Sequence, residues 1–514
     1  MTQTELHPAA TIEVTDRRSA QRWLAQARLL EPRQACYELT TLLESLEDSP
    51  PKPRDYLDVL DVLHRPILVA ASEHAVKFSG RPLPLAPPEQ AAFDQLSDLL
   101  ATSARSYRRF VNVASEDASG PLAKSLEHLA GCALEMIVEH LAVHYRARHE
   151  VDPELWQSIH DIYQLAEEEG FTLTPIQHAN RRVLTCAELY ARALILHLAG
   201  PYGMSTREFD LVRRWTRSWA GRVAISGIPE GKERFVVDLG GGEPPRLLRP
   251  DADSGAAIRY IRLSDLRRRV RRRIQAIEDE GRSPAELGLG DQCTSDEAIQ
   301  LLRHLHRQWS APATRQFRRR PVSTRAELAS GFDAIHLAIG GKLASSQSQH
   351  WDFTERETDN VYTSLSALSG SEPETAVGTR AERWDVLDET ANGFRLRRRS
   401  PGARLQCLQL IALKPQGATS YLLCEIRWLM IAIDHSVTIG VQALPGLPKP
   451  LSARPPGKLG GASNDLVPAF LLSGAQRDDQ SLVVPVGWYE VDRVLQVAPD
   501  VQLRSIRLDQ LVQH

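Results

Sequence analysis

Two clusters in this sequence combine residue types able to do chemistry. One is Asp388-Glu389-Thr390-Ala391-Asn392-Gly393, a polar corner between the apolar Val386-Leu387 and the alternating run Phe394-Arg395-Leu396-Arg397. The other lies upstream, in Arg315-Gln316-Phe317-Arg318-Arg319-Arg320. Arginine carries a planar guanidinium that bonds phosphate, or the O6/N7 edge of guanine, in bidentate fashion and also lies flat against a base; lysine does neither as well. A carboxylate at Asp388 can accept from the Watson–Crick donors of guanine, and Thr390 adds a hydroxyl. Gly393 supplies a backbone conformation, or a close approach, that a side chain would obstruct. Together they suit a guanine nucleotide.

The elements that must hold these residues are strands. Phe394 and Leu396 alternate with polar neighbours, as do Leu422, Cys424, Ile426, Trp428 and Met430, then Val437, Ile439 and Val441. Ile335, Leu337 and Ile339 alternate in the same way and predict a further strand. Short strands parted by Gly, Pro and polar turns predict a small antiparallel barrel over 311–443. A stretch rich in Ser, Thr and Glu, about 342–382, reads as an insertion or a mobile loop. Pro312 and Pro321 flank the arginines and disfavour a continuous helix there, which predicts a mobile arm able to wrap a ligand.

Arg315-x-x-x-Arg319 and Asp388-x-Thr390-x-x-Gly393, set among these strands, resemble the PilZ domain, a bacterial receptor module for cyclic di-GMP. That family's pattern is an R-x-x-x-R arm and a [DN]-x-S-x-x-G turn on a six-stranded barrel. The resemblance covers about a quarter of the chain and implies that Arg315, Arg319, Asp388, Thr390 and Gly393 bind cyclic di-GMP. It further implies an output through a protein partner in motility, biofilm or virulence control, with no reaction catalysed and no cofactor beyond the ligand. Thr390 departs from the family's serine but keeps the hydroxyl. The long separation of Arg319 from Asp388 is accommodated by the insertion.

Upstream, residues 1–220 read as a helical domain. Tyr56, Leu60, Leu63 and Ile67, and later Leu122, Leu126, Leu129 and Ala133, recur at helical spacing. Asp152-Pro153 and Thr174-Pro175 mark helix starts, Gly170 a helix end, and Ser205-x-x-Glu208 a capping box. The function of this helical bundle is not legible, and a docking surface for the partner is the expectation. Residues 221–310 form an intermediate α/β segment, with short strands at Val223-Ala224-Ile225 and Phe235 to Leu239 and a hairpin at Gly240-Gly241-Gly242. Its basic helix, capped by Ser264, carries an apolar stripe of Leu263, Leu266, Val270, Ile274 and Ile277 among six arginines. A helix follows from Asp296 to Trp309. Residues 444–465 read as a proline-rich linker. Residues 466–514 read as a small β unit too short to bury much alone, so it packs on a neighbour.

The predicted fold class is multidomain α+β: an all-α N-terminal helical bundle, then a small antiparallel PilZ-like β-barrel and a β C-terminal appendage. At 514 residues the chain exceeds one core, and a net charge of −3 argues against a protein that coats nucleic acid or membrane. Six scattered cysteines without a C-x-x-C pair, an N-terminus lacking a signal pattern and the absence of an apolar span predict a cytoplasmic protein. His140, His144 and His149 lie near helical spacing beside Glu139, but without H-E-x-x-H no metal site is expected. No nucleophile elbow or phosphate loop is visible, so an enzyme is not expected. Two other classes stay open: a PilZ-like scaffold that binds no ligand, and a nucleic-acid regulator using the basic helix 263–277. Nucleic acid is not the expected partner.

Overall fold

The computed structural model describes residues 13–27, 29–117, 120, 122–176, 184–231, 233–249, 253–310, 319–340, 381–454, 466–473, 480–498 and 504–511. The chain is multidomain α+β and divides into two compact units, Met1–Arg318 with Trp428–Val437, and Arg319–Arg427 with Thr438–His514.

The first unit begins with α1 (Arg17–Gln26), α2 (Pro32–Asp48), α3 (Pro53–His74), α4 (Pro87–Glu116), α5 (Leu126–Ala147), α6 (Pro153–Glu168), α7 (Cys186–Leu198) and α8 (Thr206–Trp219). Their boundaries follow from capping chemistry. Asp152 accepts from the Glu154 amide in front of Pro153, and Ser205 and Glu208 cap each other reciprocally. Gly170, at φ +75°, lies just past α6. Thr174-Pro175 opens no helix; the cap belongs to Thr185, whose box with Glu188 starts α7 at Cys186, and residues 177–183 lie outside the described residues. The core is lined by the residues that carried the helical spacing: Tyr56, Leu60, Leu63 and Ile67 are all buried. His64 is paired within it, 3.1 Å from both Tyr107 Oη and Glu135 Oε2, whereas the buried Tyr56 hydroxyl has no hydrogen-bond partner among the described residues.

β1 (Ala224–Ser226), β2 (Phe235–Asp238), β3 (Arg246–Leu247) and β4 (Ile258–Arg262) form a sheet in the order β1-β4-β2-β3. The triple glycine falls in the β2–β3 hairpin. α9 (Ser264–Glu278) and α10 (Ser295–Gln308) follow. Leu263 rather than Ser264 occupies the cap of α9, and no side chain caps it. None of the six cysteines forms a disulfide, and five of them are buried. Among the described residues no helix is long and apolar enough to cross a membrane.

The second unit contains β5 (Arg320–Ser330), α11 (Phe332–Ala338), β6 (Glu382–Glu389), β7 (Gly393–Arg398), β8 (Leu410–Pro415), β9 (Leu422–Ile431) and β10 (Val437–Ala443). The six strands close a barrel in the order β10-β7-β6-β5-β8-β9. Register assigns the two faces. Ala326 pairs with Trp384, Leu328 with Leu413, and Val386 with Leu396, which puts this buried set on the inside. The intervening Ala329, Ala412 and Leu423 face outward and are covered by Ile335, Phe470 and Leu472.

That cover corrects the strand expected at Ile335, Leu337 and Ile339. Gly331, at φ +88°, ends β5, and a short helix follows that turns Ile335 onto the barrel wall. Three apolar residues at alternate positions do not distinguish a strand from a turn of helix. The linker expected at 444–465 also contains a strand, β11 (Pro448–Arg454). It joins β12 (Val467–Ser473), β13 (Gln480–Val483), β14 (Val494–Ala498) and β15 (Arg504–Arg507) in a sheet ordered β13-β12-β11-β14-β15. This sheet has its own cluster of Leu451, Ala453, Ala469, Leu495 and Val497, so the C-terminal unit buries more than its length implied.

The tip of the β9–β10 hairpin, Trp428–Val437, groups with the first unit. Ile431 donates its amide to the Arg148 carbonyl at 2.9 Å and accepts from the Glu150 amide at 2.8 Å. Glu150 also accepts from the Ile433 amide at 3.1 Å.

Candidate functional site

The polar corner is the turn of the β6–β7 hairpin. Glu389 pairs with Phe394, and the Thr390 amide donates to the Gly393 carbonyl at 2.8 Å, so Ala391 and Asn392 form the loop. The Thr390 hydroxyl turns back to the same carbonyl at 3.3 Å. Asn392 accepts from the Ala443 amide at 2.8 Å, which ties the turn to β10. Gly393 has no left-handed backbone. A Cβ there would lie 2.9 Å from the Val441 carbonyl oxygen, so the glycine serves close approach of β7 to β10.

Asp388 stands between two irregularities of the barrel. The β5–β6 register slips between Pro321 and Thr324, and the β6–β7 register slips between Val386 and Asp388. Such bulges re-aim side chains at barrel rims. Across them Asp388 pairs with Pro321 on one side and Arg395 on the other. Arg319, directly ahead of β5, brings Nη1 to 3.6 Å from Asp388 Oδ2. The arginine side chain is 40% exposed and the aspartate 16%. One residue on, Arg320 pairs with Glu389.

The structure thus gathers Arg319, Asp388, Thr390 and Gly393 at one rim. Arg315, and with it most of the expected arm, lies outside the described residues, as does most of the expected insertion; β6 already starts at Glu382. Arg320 and Arg395 belong to the two clusters but are not among the expected ligand-binding residues, although the alternation Phe394-Arg395-Leu396 contains the signal for Arg395: Leu396 is fully buried, so its neighbours face outward. A groove of about 620 Å³ on the outside of this unit is lined by Thr324, Arg325, Glu327, Arg383 and Lys414 and by none of the motif residues.

Among the described residues, the three histidines beside Glu139 converge on no metal-binding group. His140 Nε2 is 2.6 Å from Ser97 Oγ, His144 Nδ1 is 3.3 Å from the Glu150 carbonyl, and His149 stacks obliquely on Phe93. Burial pushes His140 down to about 3 and His149 to about 4, so both are neutral. Asp61, His128 and Cys132 do approach one another, with His128 Nε2 2.7 Å from Asp61 Oδ1. Burial raises the Cys132 thiol well above its ordinary value.

Fold and rim together define a two-unit α+β protein whose closed barrel carries an arginine, an acid, a hydroxyl and a glycine at one corner. Residues 18–230 match the family described as Cyclic-di-GMP receptor FimW, N-terminal domain. The match runs from α1 past β1, the helical stretch whose function was not legible, and does not extend to residues 311–443. No curated protein matches the chain.

Proposed function

We propose that this chain is a receptor for cyclic di-GMP that passes the level of the second messenger to a protein partner in the bacterial cytoplasm, without catalysing a reaction. The observation that carries this reading is the placement of Arg319 against Asp388 on a bulged barrel rim, beside the Thr390–Gly393 turn. The PilZ resemblance assigns cyclic di-GMP to those residue types, and the N-terminal match is to a family whose description names the same ligand.

The chemistry is an exchange of partners. Arg319 releases Asp388 and takes a ligand phosphate or the O6/N7 edge of guanine, while the Asp388 carboxylate turns to the N1 and N2 donors of the base. Arg315 supplies the second cation and Thr390 a hydroxyl contact, with Arg395 across the ladder adding positive charge. The bound ligand presents a new surface at the rim, and that surface is what the partner reads. The helical unit is the candidate docking surface for that partner.

Titration calorimetry with cyclic di-GMP tests the reading. Wild-type protein is expected to bind at micromolar or tighter affinity, and Arg315→Ala/Arg319→Ala to lose binding. Undiminished binding by the double variant would overturn the site; no heat with wild-type protein would favour the scaffold that binds no ligand.

A further inference from the structure

α9 meets the turn after α8 in a pocket of about 610 Å³, in the first unit and outside the barrel site. Arg222, Arg268, Arg269, Arg272, Arg273 and Arg282 line it. Two of these are compensated: Arg268 pairs with Asp265 at 3.4 Å, and Arg282 approaches Glu286 at 3.9 Å.

Among the described residues, no ion pair compensates Arg222, Arg269, Arg272 or Arg273. Arg273 is only 8% exposed. Its Nε and Nη2 donate to the Leu287 carbonyl at 3.1 and 2.9 Å, and its guanidinium lies 4.8 Å from the centre of the Trp219 ring. Among the described residues no carboxylate pairs with it, and Nη1 is buried without a partner. Arg269, one helical turn earlier, also has a buried Nε without a partner. Burial and the Arg269 charge push Arg273 down to about 10, and burial with the Arg222 charge depresses Arg269. Three like charges thus line one pocket and repel one another, and for the buried Arg273 this is costly unless an anion joins them.

We propose that this pocket binds a small, multiply charged phosphate anion, held by Arg222, Arg269 and Arg273. The guanidinium geometry suits phosphate oxygens, and the volume is in the usual range for small-molecule sites, about 300–1,000 Å³. The acidic residues of the lining, Asp265, Glu280 and Glu286, disfavour a nucleic-acid backbone running out of the pocket. Free polyphosphate and the phosphate end of a nucleotide share this chemistry.

The test is a titration of the full chain with inorganic pyrophosphate, a nucleoside diphosphate, the corresponding nucleoside and a short duplex DNA, at matched ionic strength. Pyrophosphate and the diphosphate are expected to bind and the nucleoside not. Equal affinities identify free phosphates as the source, and a tighter diphosphate identifies nucleotides. Arg222→Gln/Arg269→Gln is expected to weaken binding about tenfold or more. Arg271→Gln, an exposed arginine outside the pocket lining, should leave binding within about twofold. Binding of cyclic di-GMP should be unchanged in both variants, which separates this site from the barrel. Absence of pyrophosphate binding, equal binding by the double variant, or duplex DNA bound more tightly than pyrophosphate would each overturn the proposal. The double variant alters an exposed and a half-buried arginine and leaves Arg273 in place, so an unchanged melting temperature without ligand shows that the fold is retained.

Discussion

Arg319 and Gly393 sit at the same rim but answer to different physics. Arg319 and Asp388 form a partly exposed pair at 3.6 Å, and such pairs contribute about 0–1 kcal/mol. Arg319→Ala should therefore leave the urea midpoint almost unchanged while cyclic di-GMP binding collapses in calorimetry. Gly393→Ala should do the reverse first. Its Cβ meets the Val441 carbonyl, a backbone atom that cannot swing away, so a loss of about 1–3 kcal/mol is expected in urea unfolding. Most of this corner was legible because it is local: an acid, a hydroxyl and a glycine at fixed offsets describe one hairpin turn. The pairing of Arg320 with Glu389 was not, since it depends on the register of strands far apart in sequence.

At the level of elements, one charged residue buried in the barrel is Arg398. The side chain is buried, pairs with Glu382, donates to the Ala403 carbonyl at 2.9 Å and lies 4.9 Å from the centre of the Trp384 ring. Removing the arginine deprives the Ala403 carbonyl and a partly exposed Glu382 carboxylate of a partner, typically at about 1–3 kcal/mol. Arg398→Ala is expected to destabilise the chain on that scale in denaturant titration. Ile335→Ala should cost about 2–5 kcal/mol, because α11 seals the outer wall of β5 and β8 through this side chain. These elements also mark the limit of sequence reading. The strands with polar neighbours, such as β7 and β9, were found by alternation. α11 was misread because its apolar run is shorter than two helical turns, and β11 was hidden because prolines at Pro448 and Pro450 argue against a central strand, although the ladder with β12 forms.

For the whole molecule, pH reports chiefly on the helical unit. Burial pushes His140 down to about 3 and His149 and His197 to about 4. In the unfolded chain these rings titrate near the ordinary value of about 6.5. Between those values the unfolded state binds more protons than the native one, so stability present above pH 6.5 is lost progressively as the pH falls toward 4. Melting temperatures by circular dichroism should drop from pH 7 to pH 5, and His197→Phe, if it packs without the bond that His197 shares with Tyr145, should flatten that dependence. A midpoint indifferent to pH over this window would contradict neutral burial of the histidines.

The hairpin tip that Ile431 docks between Arg148 and Glu150 has a practical meaning for anyone dissecting this chain. Its natural seam is not one cut. A gene fragment ending at Arg318 omits the ten residues, Trp428–Val437, that complete its own fold, whereas one starting at Arg319 carries them with nothing to cover Ile431. The two parts are interleaved as covalent sequence, so a faithful separation calls for grafting that loop onto the helical fragment and closing β9 to β10 with a short turn in the other.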